Sequence, residues 1–152
     1  MKRQRWMLGA AAAVVAAAFA TFFMLPPPEE SADPENSAQV AHGRAVYAAR
    51  CASCHGEQLE GQPNWRGRQP NGRLPAPPHD ATGHTWHHAD KVLFELTKHG
   101  LAAHAPSGYQ SDMPAFAETL RDEDIWAVLA YIKASWPQDI RDRQRRLTDQ
   151  SR

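Results

Sequence analysis

At 152 residues the chain has room for one domain and an appendage. It carries 17 basic and 17 acidic residues; without Lys2, Arg3 and Arg5 the balance is 14 against 17, or −3. A weakly acidic body of this kind argues against nucleic acid as a partner.

The appendage comes first. Lys2, Arg3 and Arg5 precede Met7 to Leu25, nineteen uncharged residues dominated by Ala, Val, Phe and Leu. As a helix this run would span about 28 Å, close to the hydrocarbon thickness of a bilayer. Glu29, Glu30, Asp33 and Glu35 follow it. The positive-inside rule therefore predicts residues 1–25 as a signal-anchor transmembrane helix, single-pass, with everything after Pro26 outside the cytoplasm. The rival reading is a cleaved secretory signal ending at Ala18-Phe19-Ala20. The apolar run continues through Thr21-Phe22-Phe23-Met24-Leu25, which favours the anchor. Residues 26–37, three prolines followed by acidic and small residues, read as a linker reaching about 37 Å at most.

The domain itself is expected over residues 38–137. Ala38 to Arg50 is rich in Ala, with apolar Val40, Val46 and Tyr47, and predicts a helix. Cys51-Ala52-Ser53-Cys54-His55 follows and holds both cysteines of the chain. Two thiols with two residues between them and a histidine next door have the spacing of a c-type haem attachment site. The thiols of Cys51 and Cys54 can add to the two haem vinyl groups, and His55 can reach the iron as proximal axial ligand. A thioredoxin-like pair would need a βαβ pattern, and the flanks read as helical. A zinc site would need His55 together with His79, His84, His87 or His88, at irregular spacing.

Residues 56–86 hold five prolines and five glycines and predict a long loop, of a kind that usually wraps something. Asp90 to His99 predicts a second helix, with Asp90 as N-cap, a stripe of Val92, Leu93 and Leu96, and Gly100 as terminator. Met113 lies in Asp112-Met113-Pro114-Ala115-Phe116, fifty-eight residues after His55, and is the one methionine beyond the apolar segment. A thioether sulfur is a common second axial ligand of a low-spin haem, and Met113 is the candidate; the alternative is an ordinary packed methionine. Thr119 to Trp136 predicts the third helix, with Asp122, Glu123 and Asp124 at its positive end and Ile125, Val128, Leu129 and Ile132 as its apolar side. Residues 138–152 read as a charged, frayed tail whose arginines face solvent. His84, His87 and His88 cluster in Gly83-His84-Thr85-Trp86-His87-His88 and read as surface or haem-rim histidines, with a second metal as the alternative.

From about Gly43 to Trp136 the chain resembles class I monohaem cytochromes c. Three features carry the resemblance: Gly43-x3-Tyr47-x3-Cys51 leading into the haem motif, the Met113-Pro114-Ala115-Phe116 loop, and Asp124-Ile125-Trp126-Ala127-Val128-Leu129-Ala130-Tyr131-Ile132-Lys133. The resemblance implies an all-α fold, three main helices around one covalently bound haem c, preceded here by the transmembrane helix. It implies that the first and last helices cross at Gly43, with Val128 and Tyr131 as contacts. It also implies that a carbonyl in a proline loop accepts the second N–H of His55: Pro77 first, with Pro75 or Pro78 as alternatives. Trp86 or Trp65 is implied as a donor to a haem propionate. The residues between Leu59 and Trp86 exceed the smallest members of the family.

The function expected is one-electron transport in a respiratory chain. The carrier would be tethered to a bacterial inner membrane and face the periplasm, between a redox protein donor and an acceptor near that membrane. No catalytic residue is expected. The alternatives are a fixed haem subunit of an oxidase or dehydrogenase, and an open-site haem enzyme or gas sensor.

Overall fold

The computed structural model of the protein describes residues 30–151. The segment read as a transmembrane helix lies outside the described residues, and no described helix is long and apolar enough to cross a membrane. Five α-helices carry the described chain: α1 (Ser37–Arg50), α2 (Ala52–His55), α3 (Asp90–His99), α4 (Asp122–Ala134) and α5 (Gln138–Gln150). Single 3-10 turns lie at Thr85–His87 and Leu101–Ala103, and there is no strand among the described residues.

α1 starts where Asn36 caps it: the side-chain oxygen accepts from the Ala38 and Gln39 amides at 3.1 Å each. Its packing partner is α4, and Gly43 is the reason the two helices come so close. A Cβ on Gly43 would lie 1.9 Å from the Ala127 carbonyl oxygen and 3.0 Å from the Tyr131 Cβ. The backbone of α4 at Ala127, rather than the Val128 side chain, therefore occupies the crossing. Val128 turns into the cluster around Tyr47.

α4 runs through the middle of the molecule. Ile125, Leu129 and Ala130 pack with Ala32, Leu93 and Phe94, while Val128 and Ile132 pack with Tyr47, Leu59 and Trp136. Ile125 is 0 % exposed. The helix begins at Asp122 rather than Thr119, because Thr119 and Leu120 close a separate turn on the Phe116 carbonyl. It ends at Ala134, before Trp136, whose indole donates to the His79 carbonyl at 2.7 Å.

α3 corrects two expectations. Asp90 is the first helical residue, not the cap, and Ala89 holds the cap position. The Asp90 carboxylate is buried and accepts from Lys133 Nζ at 2.7 and 2.9 Å and from Gln144 Nε2 at 2.7 Å. Val92 is 43 % exposed, and Phe94 takes the inward place, stacked on Trp126 at 4.3 Å.

The expected frayed tail is helix α5. Gln144 is 0 % exposed and donates to Asp90 and to the His88 carbonyl, and Thr148 Oγ1 accepts from the Asp90 amide at 3.1 Å. Ile140 packs against the Tyr47 cluster, but the one fully buried residue is the polar Gln144, so the apolar side is too thin to stand out in a run this charged. The end of the expected linker is also part of the fold. Ala32 is buried, and its carbonyl takes a third hydrogen bond from Lys133 at 2.7 Å.

Candidate functional site

The site is built around the bend from α1 into α2. The Cys51 amide closes the last turn of α1 on the Tyr47 carbonyl, and the His55 amide then bonds back to the Cys51 carbonyl, both at 2.9 Å. Cys51 and Cys54 thus stand one helical turn apart, three positions along the same side. Both are free thiols, Cys51 half-buried and Cys54 exposed. Burial pushes the Cys51 thiol up to about 11, with Cys54 adding to the effect, so it is protonated at neutral pH. Gly56 ends the turn at φ +83°, and the buried Tyr47 hydroxyl donates to its carbonyl at 2.8 Å.

His55 is 8 % exposed and its Nδ1 lies 2.8 Å from the Pro77 carbonyl. A carbonyl can only accept, so Nδ1 carries the proton and the lone pair sits on Nε2. Burial pulls the His55 pKa down, and the Pro77 bond only partly opposes this. A buried, neutral imidazole with its tautomer fixed and Nε2 left over is what an iron ligand requires.

The loop reaches His55 because of close backbone approaches. A Cβ on Gly61 would lie 2.4 Å from Pro78 N, and one on Gly83 would lie 2.0 Å from the Pro78 carbonyl oxygen. The Leu59 carbonyl accepts from the His79 amide at 2.8 Å, and the Gln62 amide donates to the Ala76 carbonyl at 2.9 Å. Residues 62–76 therefore form an excursion with a pinned base, and the base presents Pro77.

His79 joins the site, and the sequence offered it only as a zinc alternative. Its ring stacks on His55 at 4.0 Å and its Nδ1 is 2.7 Å from Thr85 Oγ1. Burial, with His55 second, holds its pKa well below the usual histidine value. The signal was its position two residues after Pro77 in an extended stretch, where alternate residues share a side.

Met113 is half-buried in the loop before α4, and its amide donates to Ser111 Oγ at 3.0 Å. That loop is held from two directions. Phe116 and Ala117 amides bond to the carbonyls of Thr97 and Lys98 at the end of α3. Asp112 pairs with Arg73 of the excursion.

Trp86 sits in the turn Thr85–His87. Its indole N–H donates to the Ala81 carbonyl at 3.3 Å, so the donor is spent inside the chain. His87 stacks on it at 3.8 Å, Arg143 of α5 lies 4.9 Å from its ring, and it packs against the Tyr47 cluster. Trp65 is half-buried under Arg66, 4.0 Å away. Among the described residues no three His, Cys, Asp or Glu converge on a metal position, so the zinc alternative finds no geometry.

The residues fit a covalently held haem: two thiols one turn apart, a tautomer-fixed histidine directly after them, and backbone approaches that only glycine permits. Comparison with curated proteins and with solved structures returned no match. A family model described as cytochrome c matches residues 40–136, the stretch that contains Cys51, Cys54, His55, Pro77 and Met113. The chain belongs to the cytochrome c family, whose members carry covalently attached haem c.

Proposed function

We propose that the protein is a six-coordinate, one-electron carrier with His55 and Met113 as axial ligands. The observation that carries this reading is His55 Nδ1 on the Pro77 carbonyl directly after the two cysteines. Bound there, the haem supplies reversible one-electron chemistry at iron. The chain supplies the rest. Cys51 and Cys54 hold the group in place through two thioethers. Pro77 keeps His55 in one tautomer and raises its basicity. The Met113 loop, fixed by α3 and by Arg73, brings a soft thioether that favours the reduced state. On this reading the chain's part is to hold the group and tune its potential, and the role is electron transfer. Carbon monoxide added to the reduced protein tests this. The carrier reading expects little or no spectral shift, whereas rapid stoichiometric binding would mean an open site and a sensor or enzyme.

We also propose that the domain is tethered on the outer face of a bacterial inner membrane. Support comes from Lys2, Arg3 and Arg5 before the uncharged run 7–25. Because Ala32 and Lys133 dock the chain from residue 31 onward, only residues 26–30 are left as tether, about 16 Å at full extension. Such a short leash favours a partner embedded in the same membrane. Recovery of the haem protein in the membrane fraction after an alkaline wash supports the tether; release into the soluble fraction argues for cleavage.

A further inference from the structure

The Gly83–His88 stretch carries a second cluster that the haem site does not use. His84 Nε2 and His88 Nε2 lie 2.9 Å apart. Two metal–nitrogen bonds of about 2.05 Å at a right angle place their nitrogens about 2.9 Å apart, while a tetrahedral angle would need about 3.3 Å. The same distance is that of a hydrogen bond between the two rings, so both nitrogens can reach one metal ion once the shared proton is held on Nδ1 instead. The turn holding both rings is braced. His87 and His88 amides close it on the His84 and Thr85 carbonyls at 3.0 and 3.1 Å, and the His88 carbonyl is held by the buried Gln144. Trp86, between the two histidines, is fixed by Ala81 and covered by Arg143. His84 is exposed, so the pair is reachable from solvent. His88 is held below the usual histidine pKa by burial, then by His84 and His87, which leaves its ring neutral and able to donate. His87 stacks on His84 at 5.4 Å and stands beside the pair.

We propose that His84 and His88 form a two-imidazole surface site for a nitrogen-seeking divalent transition metal, of which Cu²⁺ is the best fit. Among the described residues no carboxylate joins the cluster as a third donor, so hard cations such as Ca²⁺ or Mg²⁺ find no oxygen donors there. Water completes the coordination. Arg143, the nearby cation, opposes a bound dication and keeps the site readily reversible. The site is independent of the haem reading, since neither histidine touches His55 or Met113 in the hydrogen-bond and ring contacts of the described residues.

The test is a calorimetric titration of the oxidised, haem-loaded protein with Cu²⁺, paired with electron paramagnetic resonance of the copper. One Cu²⁺ per chain should bind, with hyperfine splitting from two nitrogens, which needs no variant to be read. His84→Gln and His88→Gln keep a hydrogen-bonding side chain but remove a ligand. Each should weaken binding by about 100-fold or more, beyond what loss of an outer-shell partner costs. His99→Ala, elsewhere on the surface, should bind as the parent does. Unchanged affinity in the double Gln variant, or no copper signal with two nitrogens, would overturn the site and leave the pair as a hydrogen bond between imidazoles.

Discussion

His55 can serve an iron in one tautomer only, and the Pro77 carbonyl at 2.8 Å selects it. The strength of that bond sets how electron-rich the ligand is, and so which oxidation state it favours. Gly61 controls the approach: it sits at φ +68° with no room for a Cβ beside Pro77 and Pro78. Gly61→Ala should push the loop away, weaken the bond and raise the reduction potential, with the haem still attached. A redox titration showing an unchanged or lower potential would contradict this. Asp124 is the residue where pH enters. Burial opposes its ionisation, but hydrogen bonds from His42 and from the Arg121 amide and guanidinium outweigh burial and hold it below its ordinary 3.8. The unfolded chain binds that proton more readily, so the ionised form stabilises the fold at every pH above about 4. The stabilisation is lost as pH falls from there through the lower folded value. Denaturant midpoints measured between pH 7 and pH 3 should fall more gently in Asp124→Asn than in the parent. The Cys51, Cys54, His55 motif of the family was legible in sequence because its chemistry is fixed by residue type and spacing. The stacking of His79 was not, because it depends on how the loop folds back.

At the scale of elements, the excursion 62–76 and the Met113 loop belong together. Arg73 stands four residues before Pro77, and Asp112 stands next to Met113, so their ion pair links the supports of both proposed axial ligands. The pair is exposed, and such pairs contribute at most about 1 kcal/mol to stability. Its effect belongs instead to the motion of the loop. Arg73→Gln and Asp112→Asn should barely change the melting temperature, yet speed displacement of Met113 by added imidazole in the oxidised protein several-fold. Equal displacement rates in both variants and the parent would refute the link. The positions of α1, α3 and α4 were readable from apolar spacing; the ends of α1 and α3 were met to within a residue, while the ends of α4 and the role of Asp90 were not. Thr119 and Leu120 were drawn into a turn on Phe116, and Asp90 was pulled inside by Lys133, choices made by tertiary partners rather than by local propensity.

At the scale of the whole molecule, Lys133 and Asp90 join four parts of the chain. Lys133 on α4 binds Asp90 on α3 and the Ala32 carbonyl, and Asp90 in turn binds Gln144 on α5. Removing one member leaves the other charge buried and alone, which costs about 3–5 kcal/mol. Asp90→Ala should lose that much in chemical denaturation, while Asp90→Asn keeps part of it; a loss below about 1 kcal/mol for Asp90→Ala would mean the network is ornamental. This network also explains what composition concealed. A run as charged as residues 138–150 reads as solvated tail, because sequence shows Gln144 and Thr148 as polar without showing the Asp90 carboxylate that accepts from the one and the Asp90 amide that donates to the other. The end of the linker docks through Ala32, whose carbonyl accepts from Lys133 and whose side chain packs in the cluster of Leu93, Phe94 and Ile125.

The measurement that bears most directly on the six-coordinate carrier is a proton magnetic resonance spectrum of the reduced, haem-loaded protein. A methionine bound to ferrous low-spin haem has its methyl group above the ring, where the ring current shifts it far upfield of all other lines. One three-proton line should appear there and vanish in Met113→Ala, with covalent haem retained. Absence of the line in the parent, or its survival in Met113→Ala, would contradict the assignment of Met113.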